Sequence, residues 1–301
     1  MKMNLPDRVD VVEVCPRDGF QIVKDFIRTE DKIEIIKKVI DAGVKFIEIT
    51  SYVHPKWVPQ MADAGDVVDA VKGYAEGKDV ELIALVPNKV GAVKAFEAGL
   101  DWITYVVSAS ESHNMKNINR TIEQSFAELE EICAIKADTR IRLAIATTFG
   151  CPFGEEVPVE RVIDMAKRGL ELGVGKVVLA DTIGIANPVQ VKSIIGKVKE
   201  QVDVELLGVH LHDTRGMGLA NTYVAVTEGI RYFESAVGGL GGCPFAPGAA
   251  GNIATEDMIN MFHSMGVETG VAMDRIFEAV SLVREKVNSP VVSHMANVCR
   301  I

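Results

Sequence analysis

Two histidines one residue apart, His210 and His212 in GVHLHD, are the sharpest chemical signal in a chain with only six histidines. On a β-strand that spacing puts both imidazoles on one face with Cα atoms about 7 Å apart, close enough to share a metal ion. The alternative is a pair of hydrogen-bonded polar residues closing a strand. A metal needs more ligands. Asp18 in CPRDGFQ and Asn252, at the end of the glycine-rich segment VGGLGGCPFAPGAAGN, offer a carboxylate and an amide oxygen. Two imidazoles, a carboxylate and an amide make a mixed nitrogen and oxygen set that leaves positions for substrate. Such a set suits Mg²⁺ or Mn²⁺ better than a closed structural zinc site.

Three further residues could act around such an ion. Arg17 is either an ordinary rim ion pair or a guanidinium presented to an oxyanion developing beside the metal. Glu48 shares its strand alternation with Phe46 and Thr50, which aims a carboxylate toward a barrel axis. A charge there is paired or functional, and Arg17 is its natural partner. Cys243, between Gly242 and Pro244, is either inert packing or, in a glycine loop over a metal site, an acid/base or nucleophilic thiol. Six of the 26 glycines fall between Gly238 and Gly251, and Gly208 beside the histidines reads as room for close approach at the mouth.

Positioning these groups requires a scaffold that brings strand ends together. Eight runs rich in Val and Ile recur: Val9 to Val14, Lys45 to Thr50, Glu81 to Val86, Trp102 to Val107, Ile141 to Thr147, Lys176 to Ala180, Glu205 to His212 and Tyr232 to Val237. Helical patterns alternate with them, such as Asp31 to Asp41 with an Ile33, Ile36, Ile40 stripe, and Thr121 to Ala137 with Ile122, Phe126, Leu129, Ile132 and Cys133 on one face. Strand then helix, eight times over, predicts an α/β fold, the TIM (β/α)₈ barrel, with additional C-terminal helices. An open doubly wound sheet shares the alternation, but its GxGxxG turn after an early strand is missing. Barrel enzymes gather reactive groups at the C-terminal strand ends. Polar residues follow all eight runs, among them Asn88, Ser108, Ser110, Glu111, Thr147, Thr148, Asp181 and Thr182. No linker divides the chain, so residues 1–301 read as one catalytic domain, with a helical extension from about 271 to 301 that includes Asp274 to Lys286.

Composition narrows the function classes. At 48% apolar and 25% charged residues, with 11 scattered prolines, the chain builds a large core and is not disordered. A net charge of -10 without a basic tract disfavours nucleic acid and anionic membranes as partners. The five cysteines are widely spaced with no CxxC pair, as expected of a reducing compartment. Neither a secretory signal nor a membrane span is evident, so a cytoplasmic protein is expected.

The segments EVCPRDGFQ, IEITSYVHPKWVPQMAD, LADTIGIANP, VHLHDTRGMGLAN and VGGLGGCPFAPGAAGNIATED resemble those of the 3-hydroxy-3-methylglutaryl-CoA lyase family, metal-dependent TIM-barrel lyases, over about Val11 to Val267. The resemblance implies that Asp18, His210, His212 and Asn252 hold a divalent cation and that Arg17 stabilises the enolate of the thioester product. It places Glu48, Asp181 and Glu256 in the active site, makes Cys243 a loop thiol in proton transfer, and suggests a homodimer. The implied reaction is retro-Claisen cleavage of an acyl-CoA thioester to acetyl-CoA and acetoacetate. Cys15, Arg215, Met217 and His294 depart from the common pattern, which leaves a related 3-hydroxyacyl-CoA such as citramalyl-CoA as an alternative substrate. Against the acidic background CoA needs local cations, for which Lys56, Lys116 and Arg120 are candidates. A binuclear hydrolase would need more histidines at strand ends than His54, His113, His263 and His294 provide. A non-catalytic acyl-CoA-binding relative would have no use for the thiol and arginine together.

Overall fold

Runs such as ELIALV and KVVLAD are apolar nearly throughout, the pattern of parallel strands covered on both faces. The structure is a computed structural model that describes residues 5–242 and 251–298. In it eight parallel strands form a closed barrel in sequence order, the last pairing with the first. Each strand leads into a helix: β1 (Asp10–Glu13) into α1 (Thr29–Asp41), β2 (Phe46–Ser51) into α2 (Ala64–Ala75), and β3 (Glu81–Val86) into α3 (Lys89–Glu97). β4 (Trp102–Ser108) is followed by α4 (Glu111–Ile118) and α5 (Ile122–Ile135), β5 (Arg140–Ala146) by α6 (Val159–Glu171), and β6 (Lys176–Asp181) by α7 (Pro188–Val198). β7 (Leu207–Leu211) precedes α8 (Gly218–Thr227), and β8 (Tyr232–Ser235) precedes α9 (Thr255–Ser264). The C-terminal helices are α10 (Met273–Lys286) and α11 (His294–Val298). Helix α10 packs along α1, and Lys286 reaches Asp31 at 3.0 Å and Glu34 at 2.7 Å.

Local chemistry explains the helix limits. α5 starts at a capping box in which Thr121 accepts from the Gln124 amide and Gln124 accepts from the Thr121 amide. On α1 the buried stripe is Lys32, Ile35, Ile36, Val39 and Ile40, so Ile33 sits at its margin rather than within it. Lys32 joins the stripe because its ammonium finds Asp63 at 2.9 Å and the Gln60 carbonyl. Strand β7 is shorter than its apolar run, because Asp203 caps a 3₁₀ turn at Val204–Leu206.

Parallel pairing keeps aligned residues on one face of a sheet. Val12 aligns with Phe46 and Glu234, Glu234 with His210, and Thr104 with Arg142, so these side chains share the barrel interior. Glu48 joins them. Thr50 does not share its face, contrary to simple alternation, because the pairing of β2 with β3 slips between Glu48 and Thr50. That irregularity turns the Thr50 hydroxyl to the Met61 sulfur at 3.7 Å.

Gly208 serves the barrel floor rather than the mouth. A Cβ there would lie 2.6 Å from Tyr232 Cδ1 and 3.1 Å from the Tyr232 carbonyl oxygen. Glycine therefore makes room for a ring whose hydroxyl accepts from Arg142 at 2.9 Å. Gly208→Ala is expected to destabilise the protein by about 1–3 kcal/mol through overpacking, read as a lower denaturant midpoint with unchanged m-value.

Candidate active site

His210 is the penultimate residue of β7, facing the barrel interior, and His212 follows just beyond the strand, bridged to Asn252. Their Nε2 atoms face one another at 3.0 Å, as the one-residue spacing requires of a strand terminus. Asp18 lies in the turn Cys15–Gly19 that follows β1, and one ligand atom from each of Asp18, His210 and His212 lies within 4.8 Å of the others. Asn252 completes the cluster. Its Nδ2 donates to Asp18 Oδ2 at 2.7 Å and to the Leu240 carbonyl at 3.1 Å, while its Oδ1 is buried without a hydrogen-bond partner among the described residues. A buried orphan acceptor is costly, and a cation beside it would satisfy it. The donor set therefore fits a divalent ion: one carboxylate, one unsatisfied amide oxygen and two convergent imidazole nitrogens.

Asn252 is delivered by a close backbone crossing. The two legs of the glycine segment approach so tightly that a Cβ on Gly251 would lie 2.2 Å from the Gly241 carbonyl carbon. Only glycine tolerates that contact. The Asp213 amide then donates to the Gly251 carbonyl at 2.8 Å, pinning the segment to the end of β7. Cys243 and Cys299 lie outside the described residues; Cys15, Cys133 and Cys151 are free thiols.

Arg17 is an ion pair on both sides. It donates through Nε to Glu48 Oε2 at 2.5 Å and through Nη1 to Asp18 Oδ1. Those bonds orient the guanidinium, and Nη2 takes no acceptor among the described residues. Glu48 is fully buried; its Oε1 accepts from Thr104 at 2.5 Å and from Arg142 Nη2 at 3.0 Å. Arg142 was not singled out by motif reading, although a charged residue in the apolar run IRLAIA is an unusual occupant of a covered strand. The same holds for Glu234 in YFES. Its Oε1 accepts from Arg142 Nη1 and its Oε2 faces His210 Nδ1, at 2.9 and 2.8 Å.

These contacts set the protonation states. Burial pushes the Asp18 carboxyl up, but Arg17, the two histidines and the Asn252 hydrogen bond together outweigh it and hold the pKa at about 2. His212 is pushed down to about 4, chiefly by burial. Both directions leave these groups as ligands rather than acids at neutral pH. Burial raises the Asp181 pKa, against two amide bonds from Ile185 and Ala186, each 3.0 Å.

Other expected site residues occupy different positions. Glu256 is fully buried and accepts from the Gly238 amide at 3.1–3.2 Å, at the turn Val237–Gly239 rather than among the ligand atoms. Its pKa is raised to about 7 by burial. Arg120 is paired with Glu128 and donates to the Pro87 carbonyl, so its charge is engaged. The Lys116 ammonium lies 3.8 Å from the Phe153 ring centroid and Lys56 5.8 Å from that of Trp57, which is exposed. Several polar strand ends are braces: Asn88 and Ser110 cap α3 and α4, and Ser108, Thr147 and Thr182 join β4, β5 and β6 through hydroxyls.

Fold and site together define a TIM barrel with a buried Asp, His, His and Asn cluster, a candidate cation site, at its C-terminal mouth. The chain belongs to the HMGL-like family, whose model matches residues 8–283. It is 41% identical over 293 residues to hydroxymethylglutaryl-CoA lyase YngG of Bacillus subtilis, covering 97% of each chain. It is 40% identical over 294 residues to the mitochondrial hydroxymethylglutaryl-CoA lyase of Rattus norvegicus, covering 97% of this chain and 90% of the relative. Among solved structures, the Bacillus subtilis HMG-CoA lyase superposes with a TM-score of 0.95 at 40% identity, covering 99% of each chain. An Acinetobacter baumannii HMG-CoA lyase in complex with coenzyme A and 3-methylmalate gives 0.91 at 40% identity, covering 97% of this chain and 95% of that one. Among the described residues no helix is long and apolar enough to cross a membrane.

Glu13, on the outer face of β1, is a second buried carboxyl that sequence reading missed. It accepts from the Cys15 and Val237 amides at 2.8 and 2.9 Å and from the Thr255 hydroxyl at 2.7 Å. It thereby joins the turn carrying Asp18 to the turn after β8. Burial pushes its pKa from 4.5 to about 8. Between those values the folded protein holds a proton that the unfolded chain releases, so this group makes stability fall as pH rises through the window. Glu13→Gln is therefore expected to flatten the decline in unfolding free energy between about pH 4.5 and 8, by roughly a few kcal/mol across the range. Denaturant titrations at several pH values check it; a parallel pH profile in both proteins would reject it.

Proposed function

We propose that this protein catalyses divalent-cation-dependent retro-Claisen cleavage of 3-hydroxy-3-methylglutaryl-CoA to acetyl-CoA and acetoacetate. The observation that carries this reading is the convergence of Asp18, His210, His212 and the unsatisfied Asn252 oxygen beside Arg17, in a chain of the HMGL-like family. Asp18, His210, His212 and Asn252 would hold the cation, Mg²⁺ or Mn²⁺. When bound, it supplies Lewis-acid polarisation of the substrate oxygens.

The residues divide the remaining work. Asp181, on the strand beside that of His210 and with its pKa raised by burial, accepts the proton of the tertiary hydroxyl. The bond between the α and β carbons then breaks and acetoacetate leaves. Its electrons enter the thioester, whose carbonyl oxygen becomes an enolate stabilised by the Arg17 guanidinium. Glu48 holds that guanidinium in place. Cys243, on the glycine segment, returns a proton to the enolate carbon and completes acetyl-CoA. Glu256 fixes the turn from which that segment departs. A homodimer and a cytoplasmic location belong to the same reading, as does a CoA site served by Lys56 and Lys116.

Two experiments test it. Purified protein stripped with a chelator is expected to lose cleavage and regain it with Mg²⁺ or Mn²⁺, in a product assay over a panel of 3-hydroxyacyl-CoA thioesters. Acetoacetate formed fastest from 3-hydroxy-3-methylglutaryl-CoA supports the assignment; pyruvate from citramalyl-CoA as the dominant product reassigns the acyl group, and full activity after exhaustive stripping removes the cation from the mechanism. Arg17→Gln is expected to lower kcat by about 10²–10³-fold while the folded variant still takes up cation. Unchanged kcat would sink the enolate role.

A further inference from the structure

The two histidines of the site are not equivalent. His210 and Glu234 are aligned partners on β7 and β8, and His210 Nδ1 lies 2.8 Å from Glu234 Oε2. The other oxygen of Glu234 accepts from Arg142, which has no solvent exposure. His212 has no such support among the described residues, because its Nδ1 is buried there without a hydrogen-bond partner. A carboxylate held by a guanidinium accepts hydrogen bonds and does not donate them. The proton of neutral His210 therefore belongs on Nδ1, which leaves the Nε2 lone pair facing His212 Nε2 across 3.0 Å.

We propose that Glu234, anchored by Arg142, is the positioning residue that fixes the tautomer and ring orientation of His210, making this histidine the preorganised ligand of the pair. Arg142 carries the effect further. Its other terminal nitrogen donates to Glu48, which holds Arg17, which holds Asp18. One buried guanidinium thus sets both a cation ligand and the arginine assigned to the enolate. The inference rests on the reading that Asp18, His210, His212 and Asn252 bind a divalent cation.

The direct probe is Glu234→Gln. The glutamine oxygen can still accept from Arg142, but its amide then donates to His210 Nδ1 and drives the imidazole proton onto Nε2, where it blocks the ligand lone pair. The expected result is a Mn²⁺ dissociation constant raised about 10–100-fold, measured by calorimetry on the folded variant, with Glu234→Asp recovering part of the loss. A folded Glu234→Gln protein whose Mn²⁺ affinity stays within about twofold of the parent would overturn the proposal. The unsubstituted protein gives a test independent of folding. In ¹⁵N-resolved imidazole spectra, the two histidines that respond to Mg²⁺ should include one in the Nδ1–H form before the metal is added. Finding both with a bare Nδ1 would also overturn it, whatever the variant does. If the parent binds no divalent cation, the cation reading fails and the proposal with it; if it binds Mn²⁺ and Glu234→Gln binds as tightly, the proposal alone fails.

Discussion

A guanidinium without solvent contact lies inside the barrel, and the geometry of the site depends on it. Arg142 projects from β5 and bonds Thr104 on β4, Glu48 on β2, and Tyr232 and Glu234 on β8. Barrel interiors are ordinarily packed by branched apolar side chains. A buried charge in their place is tolerated only when its partners are complete, and removing one partner of such a pair typically costs about 3–5 kcal/mol. Four strands are thereby tied to one side chain. The rotamers of Glu48 and Glu234 follow from where that side chain donates.

From this centre, charges alternate outward along two arms. Glu48 leads to Arg17 and Asp18, and Glu234 leads to His210 and across to His212. Three carboxylates face two guanidiniums along this path, so the arms meet at the mouth with an excess of negative charge. That is the condition for holding a divalent cation in a chain that must also accept a polyanionic thioester. Arg17 leads the interactions that keep Asp18 ionised, and burial above all keeps His212 neutral, as metal ligands are. Gly208 belongs to the same construction, because it admits the Tyr232 ring whose hydroxyl meets Arg142.

The polar residues at the eight strand ends serve two purposes that look alike in one dimension. Some build the site: Asp18, His210, His212 and Asn252. Others terminate strands and start helices, as Asn88 and Ser110 do at α3 and α4, or knit neighbouring strand ends together, as Ser108, Thr147 and Thr182 do. Asp181 accepts from two amides of its own loop, and Glu256 from the turn after β8. Among the described residues, helix capping and loop bracing satisfy most polar groups of the mouth, leaving few unpartnered atoms such as Asn252 Oδ1.

Periodicity and type were enough to read the eight strands, the alternating helices and the barrel, and to nominate Asp18, His210, His212 and Asn252 as candidate cation ligands. These are local signals: an HxH pair shares one strand face, and a glycine cluster needs its conformational freedom wherever it sits. The interior ring was not legible in that way. Arg142 and Glu234 lie in short apolar runs without a motif, and their meaning appears only when barrel closure sets β5 and β8 around a common axis with β2. The slip between Glu48 and Thr50 is likewise a property of pairing with β3, which no alternation within one strand reveals. Glu13 gains its partners from Val237 and Thr255, more than 200 positions away. Sequence spacing decided which face each group occupies on its own element. Only the closed barrel decided which groups share a hydrogen bond, because that depends on register between strands rather than on order along the chain.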